Sequence, residues 1–356
     1  MNKLMFKLCT VLLLHRGPLQ ELSLSLPILR SFPAQIDQIL LFIQEKCSIK
    51  SLTITVESRY WRRIFPFRKN YKGYKLPKRL FSFSQLKVLR LCCCQFTSYP
   101  VSFECFSMLT VLELRNVIFE GCGKVWSFTC PLLSALTLVQ CGRGGLFKLP
   151  RIVIEAPKLC RFHFHGTFSS LQLNNTPFLK TAILHKEFTF SLDRKIKDNP
   201  SDFLKFWGGL AAVESLSVSG YLYQYLRIGN SQAIDLSPLP MLRHMKLDRV
   251  CLNSKSIACS VLLMIKRSPN LQQIAISDGN NVSKHELSRL TRVEVKRLKG
   301  IKHETAFLEW LLSSSPALES MEIQLEEKLS AAEKVLILTE LNGFQRASTR
   351  ARIIVE

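Results

Sequence analysis

The sequence predicts an α/β solenoid, a stack of irregular repeats whose strands form a parallel sheet along the concave face. Two observations carry this reading. An apolar frame, leucine-x-x-leucine-x-leucine with aliphatic or aromatic substitutes, recurs twelve times. Proline stands just before many copies, as in CPLLSALTL, APKLCRFHF, TPFLKTAIL, LPMLRHMKL, SPNLQQIAI and SPALESMEI. A recurring period of this kind is the signature of a repeat architecture.

The frame begins within HRGPLQELSLSL as Leu19/Leu22/Leu24, then Ile49/Leu52/Ile54 and Leu86/Leu89/Leu91. Leu109/Leu112/Leu114, Leu133/Leu136/Leu138 and Leu159/Phe162/Phe164 follow. Next come Leu179/Ala182/Leu184, Val213/Leu216/Val218 and Leu242/Met245/Leu247. Leu271/Ile274/Ile276, Leu290/Val293/Val295 and Leu318/Met321/Ile323 complete the series. Leu86 and Leu109 are 23 residues apart, whereas Ile49 and Leu86 are 37 apart. The shorter spacing is that of leucine-rich repeats, and the longer requires an inserted loop. The second and third frame residues are two apart, so on a strand they point to one face, inward. The first marks the turn entering the strand, and proline suits that turn because it fixes φ and has no N–H. A polar return segment is expected to lead to the next repeat. Cys94 and Cys141, three residues after the frame, read as small buried hydrophobes, with Val117 and Val250 in the same place elsewhere.

Composition bounds the rest. The chain has 356 residues, 47% hydrophobic and 21% charged, enough for a large core and against wholesale disorder. No apolar run approaches the ~18 residues that span a bilayer, so no membrane association is expected. FKLCTVLLL (Phe6–Leu14) reads as an amphipathic helix packing on the first repeat. The 12 cysteines contain no CxxC pair and show no ligand spacing with histidine, which points to a reducing compartment, cytoplasm or nucleus, and to no metal site. A net charge of +22 favours acidic partners.

These features resemble plant F-box proteins that carry irregular leucine-rich repeats and a C-terminal FBD domain. LLLHRGPLQELSLSL, QIDQILLFIQEKCSIKSLTI and YKLPKRLFSFSQLKVLRLCCCQF look like the family's early repeats. LTRVEVKRLKGIKHETAFLEWLLSSSPALESMEI (Leu290–Ile323) resembles the core of the FBD domain: a strand, a loop, a helix around Phe307 to Leu312 and a return strand. GFQRASTRARIIVE resembles its closing segment, with Thr349 where a proline often stands. The resemblance implies a leucine-rich-repeat region over 1–285 and an FBD domain over 286–356 that continues the solenoid. It also implies a substrate-recognition role in an SCF-type ubiquitin ligase. The family's F-box belongs ahead of HRGPLQ, where fourteen residues stand, so direct binding of the SCF adaptor is not expected.

The leading functional expectation is therefore a non-catalytic protein-interaction scaffold whose partner is an acidic or phosphorylated protein substrate. Residues flanking the inward frame positions should point outward along the sheet. They give a stripe containing Arg115, Arg161, His163, His165, His185, His244 and Lys246 as candidate partner contacts. The alternative is a nucleic-acid-binding solenoid using RYWRRIFPFRKNYKGYKLPKR, with Arg59, Arg62, Arg63, Arg68, Lys69 and Lys72 against phosphates and the interleaved aromatics against bases. This stretch falls in the longest interval, where a solvated basic loop is the ordinary outcome, so nucleic acid is not the expected partner. A truncated product with no ligase role is the remaining alternative. No phosphate-binding glycine loop, HExxH or nucleophile elbow occurs, and neither an enzyme nor a cofactor is expected.

Overall fold

The computed structural model describes residues 10–12, 14–15, 17–27, 33–46, 48–57, 74–96, 106–120, 125–142, 151–186, 205–220, 236–248, 261, 263–277 and 289–355. These fall into two compact units, the first ending at Thr176 and the second beginning at Pro177. Most of the expected helix over Phe6–Leu14 lies outside the described residues.

The first unit contains β1 (Glu21–Pro27), helix α1 (Pro33–Lys46), β2 (Ser51–Glu57), β3 (Tyr74–Leu76), β4 (Val88–Cys92) and β5 (Cys94–Phe96). It continues with β6 (Val111–Arg115), β7 (Ile118–Phe119), β8 (Val125–Thr129) and β9 (Ala135–Val139). β10 (Arg151–Glu155), β11 (Arg161–Gly166) and β12 (Ser170–Asn174) close it. Strands β1, β2, β4, β6, β9 and β11 pair in that order, all parallel and in register. The frame residues meet across them: Leu89 pairs with Leu112, and Leu112 with Leu136. All of these, with Leu91, Leu114 and Leu138, are buried.

The entry to most frame strands has one construction. The first frame residue closes a four-residue turn, its N–H donating to the carbonyl three residues back. Leu133 donates to Cys130 at 3.2 Å, Leu159 to Ala156 at 3.0 Å, Leu271 to Ser268 at 3.1 Å and Leu318 to Ser315 at 3.2 Å. Proline is the second residue of each of these turns, where its fixed φ is already correct. A single carbonyl then accepts two N–H groups from the next repeat. Lys87 O accepts from Thr110 at 2.8 Å and Val111 at 3.0 Å, and Thr110 O from Ser134 at 2.8 Å and Ala135 at 3.1 Å. The exit is also repeated. Cys93, Asn116 and Gln140 follow their strands with φ of 59°, 52° and 52°. This left-handed turn is tolerated by short polar side chains such as asparagine more readily than by most.

The return segments differ from the polar crossings expected from sequence. In this unit they form two further parallel sheets, β3–β5–β7 and β8–β10–β12. Their inward residues, including Trp126, Phe128, Ile152, Ile154, Leu171 and Leu173, are buried. Phe96, Phe119 and Trp126 run as a file, with ring centroids 5.2 and 4.3 Å apart. Polar residues there would leave the opposite side of the frame leucines without apolar cover. Cys94 and Cys141 are buried as read from sequence. The Cys141 thiol, pushed up to about 12 by burial, donates to the Leu114 carbonyl of the preceding repeat at 3.3 Å.

The second unit contains β13 (Thr181–Lys186), β14 (Ser215–Gly220), β15 (His244–Asp248), β16 (Gln273–Ser277) and β17 (Arg292–Leu298). Helix α2 (Lys302–Ser314), β18 (Ser320–Leu325), helix α3 (Ala331–Gly343) and β19 (Arg352–Val355) follow. The seven strands form one parallel ladder in chain order. The strand, loop, helix and return strand expected over Leu290–Ile323 are β17, its following loop, α2 and β18. The loop is organised by Glu304, whose carboxylate accepts from the Lys299 and Ile301 N–H groups at 2.6 and 3.3 Å. Burial raises the Glu304 carboxyl above its ordinary range, and these backbone donors oppose that.

Candidate partner-binding faces

Because side chains alternate along a strand, each ladder presents rows of residues to solvent opposite its buried frame. The register fixes the rows in the first unit. One runs Ser23, Thr53, Arg90, Glu113, Thr137, His163. The next runs Ser25, Thr55, Cys92, Arg115, Val139, His165, and Arg161 heads the row beside His163.

Four of the expected contacts, Arg115, Arg161, His163 and His165, thus share this face. Their charge is distributed unevenly. Glu113 sits between Arg90, at 3.4 Å, and Arg115, to which it also bonds, so both guanidinium groups have an acid beside them. Arg161 is exposed and forms no ion pair with any described residue. Burial, then the Arg115 charge and His165, lower the His163 imidazole below its ordinary value, with Glu113 opposing. His163 is therefore neutral at neutral pH. The His165 Nε2 lies 3.5 Å from the Gln140 amide, on the left-handed turn that ends β9.

The other three expected contacts lie on the face of the second unit. His185 and Lys246 converge on the Asp248 carboxylate, at 3.7 and 3.3 Å. His244 is exposed at the start of β15. Further along, Arg292 forms a forked pair with Glu322 at 2.8 and 2.9 Å, and Lys296 pairs with Glu294 at 2.7 Å. This face carries its cations mostly in pairs with its own acids, some on the same strand, as Asp248 with Lys246 and Glu294 with Lys296, and some on another strand, as Glu322 with Arg292. Between strands the reach is diagonal: Glu322 is in register with Glu294, two residues along β17 from Arg292, and Arg292 crosses to it.

Arg59, Arg62, Arg63, Arg68, Lys69 and Lys72 lie outside the described residues. Among the described residues no group of three or more histidine, cysteine, aspartate or glutamate side chains is placed to hold a metal ion. No described helix is long and apolar enough to cross a membrane.

Comparison with known proteins agrees with the repeat architecture. A family model described as FBD-associated F-box protein At5g56370, LRR repeats, matches residues 62–211. The F-box/FBD/LRR-repeat protein At1g13570 of Arabidopsis thaliana is 29% identical over 372 residues, covering 97% of this chain and 81% of its own. The F-box/FBD/LRR-repeat protein At1g78750 of the same plant is 26% identical over 304 residues, covering 78% of this chain and 63% of its own. A solved leucine-rich-repeat protein of Leptospira interrogans aligns over 94% of this chain and 89% of its own, at 15% identity and a TM-score of 0.28. By sequence, the chain is similar along nearly its whole length to a plant F-box/FBD/LRR-repeat protein.

Proposed function

We propose that the chain is a non-catalytic protein-interaction scaffold, the substrate-recognition part of an SCF-type ubiquitin ligase subunit. Its partner is an acidic or phosphorylated protein segment, and its organisation is a leucine-rich-repeat region over 1–285 followed by an FBD domain over 286–356. The reading is supported by the relatives and by one feature of the first unit: exposed Arg161, without an ion-pair partner among the described residues, stands beside His163 and His165 on a regular strand ladder. Arginine offers a fork of donors to a carboxylate or phosphate. A histidine beside a bound anion is favoured in its charged form.

The test is anisotropy of acidic and phosphorylated peptides on the wild-type chain and on an Arg161→Glu, His163→Ala variant with an unchanged circular dichroism spectrum. Charge-assisted hydrogen bonds contribute about 1.5–3 kcal/mol each, so loss of one weakens binding about tenfold or more. Unchanged affinity would remove this face from the proposal. The pH dependence has a definite sign. His163 is neutral in the free chain and gains a proton next to a bound anion, so affinity rises as pH falls through the imidazole range. In the variant that rise is diminished, and an equal rise in both proteins contradicts the role of His163.

A further inference from the structure

Cys92 and Cys93 are adjacent in sequence, and in an extended strand their side chains would point to opposite faces. Here the left-handed conformation of Cys93, with φ of 59°, ends the strand and brings its sulfur to 3.6 Å from that of Cys92. The two thiols differ in setting. Cys92 is half-buried on the solvent-facing side, between Thr55 of β2 and Arg115 of β6 in its row, whereas Cys93 is buried. We propose that Cys92 and Cys93 form a reversible oxidation site: a hydroperoxide oxidises Cys92, and Cys93 closes a vicinal disulfide with it.

The step balances. The Cys92 thiolate sulfur attacks one peroxide oxygen, the O–O bond breaks and hydroxide leaves, giving a sulfenic acid. The Cys93 sulfur then attacks the Cys92 sulfur. The S–O bond breaks, and the departing hydroxyl leaves as water with the Cys93 proton. Two thiols are oxidised by two electrons, and one peroxide is reduced to the level of water.

The surroundings favour this order. The thiolate is the reacting form, and an adjacent cation or donor increases its share. A hydrogen bond from Cys93 draws the Cys92 thiol down to about 7, burial opposes this, Arg115 assists and Glu113 opposes. The same contact, with burial, pushes Cys93 up, so it remains protonated while Cys92 carries the charge. Oxidation of Cys92 removes that charge and with it the principal restraint on Cys93. Adjacent Cα atoms are about 3.8 Å apart, below the ~4.4 Å at which ordinary disulfides begin. The product is accordingly strained and readily reduced, as suits a reversible modification. Cys94 and Cys141 are buried with their thiols pushed up by burial, which disfavours them as the first site of attack.

The experiment treats the full chain with one equivalent of hydrogen peroxide, with and without dimedone, and maps peptides by mass under non-reducing conditions. The peptide containing Cys92 and Cys93 is expected to lose the mass of two hydrogens and to recover it with dithiothreitol. Cys93→Ser should instead accumulate a dimedone adduct on Cys92, Cys92→Ser should show neither change, and Cys94→Ala should behave as wild type. The proposal is overturned if that peptide is unchanged while the half-buried Cys160 is oxidised. It is also overturned if wild type and Cys93→Ser give equal dimedone adducts, or if Cys94→Ala abolishes the mass loss.

Discussion

Leu112→Ala is expected to lower the stability of the first unit by about 2–5 kcal/mol, the range for truncating a fully buried leucine. Leu112 is 0% exposed on β6 and sits between Leu89 and Leu136 of the flanking strands, both also buried. In a stack of repeats each leucine is covered only by its neighbours, so the loss falls on both adjoining interfaces. Urea denaturation followed by circular dichroism measures the effect. Thr137→Ala, on the solvent side of β9, should change stability by no more than about 0.5 kcal/mol. Equal midpoints for the two variants would contradict the assignment of an inward and an outward face.

Gly300→Ala should be comparably damaging for a different reason. Gly300 has φ of 71° in the loop between β17 and α2, and a Cβ there would run into the side chain of Ile337 on α3. Ile337 is itself buried. The left-handed backbone costs an alanine about 1–2 kcal/mol, and overpacking typically adds about 1–3 kcal/mol. The expected loss is therefore about 2–5 kcal/mol, with faster hydrogen exchange in α3. Combining it with Ile337→Ala removes the collision, so the double variant should be less destabilised than the sum of the single changes. Strict additivity would show that the loop does not meet α3 in this way.

The inward half of this fold is legible in the sequence. Leucines two apart, entered through a proline turn, specify a strand, its buried face and its start, and β9, β11, β15, β16 and β18 all follow that rule. The resemblance also located α2 and β18. The return side was hidden by brevity: β5 and β7 have three and two residues, too few to show an alternation. A signal did exist in VWSFT, RIVIE and SLQLN, where Trp126 and Phe128, Ile152 and Ile154, and Leu171 and Leu173 are large apolar residues two apart, all buried. Helix α3 went unread, although Ser330 and Glu333 form a reciprocal cap at its start. Its exposed Val335 and Leu336 blur the apolar stripe by which a helix is recognised. Of the candidate contacts, sequence placed Arg115, Arg161, His163 and His165 on one face. Glu113 and Asp248 stand in the same stripe, two residues from Arg115 and Lys246, but their further approach to Arg90 and His185 on other strands is set by the strand ladder and not by chain spacing.

The central claim, that an acidic or phosphorylated segment docks on the solvent face of the first unit, is tested most directly by where such a segment touches the chain. A bound phosphopeptide carrying a photoreactive group, cross-linked to the intact chain and mapped by mass spectrometry, reports this. The account predicts cross-links at Thr137, Val139, Arg161 and His163, reduced by the Arg161→Glu change. Cross-links confined to Arg59–Arg79, or to the face of the second unit, would contradict it.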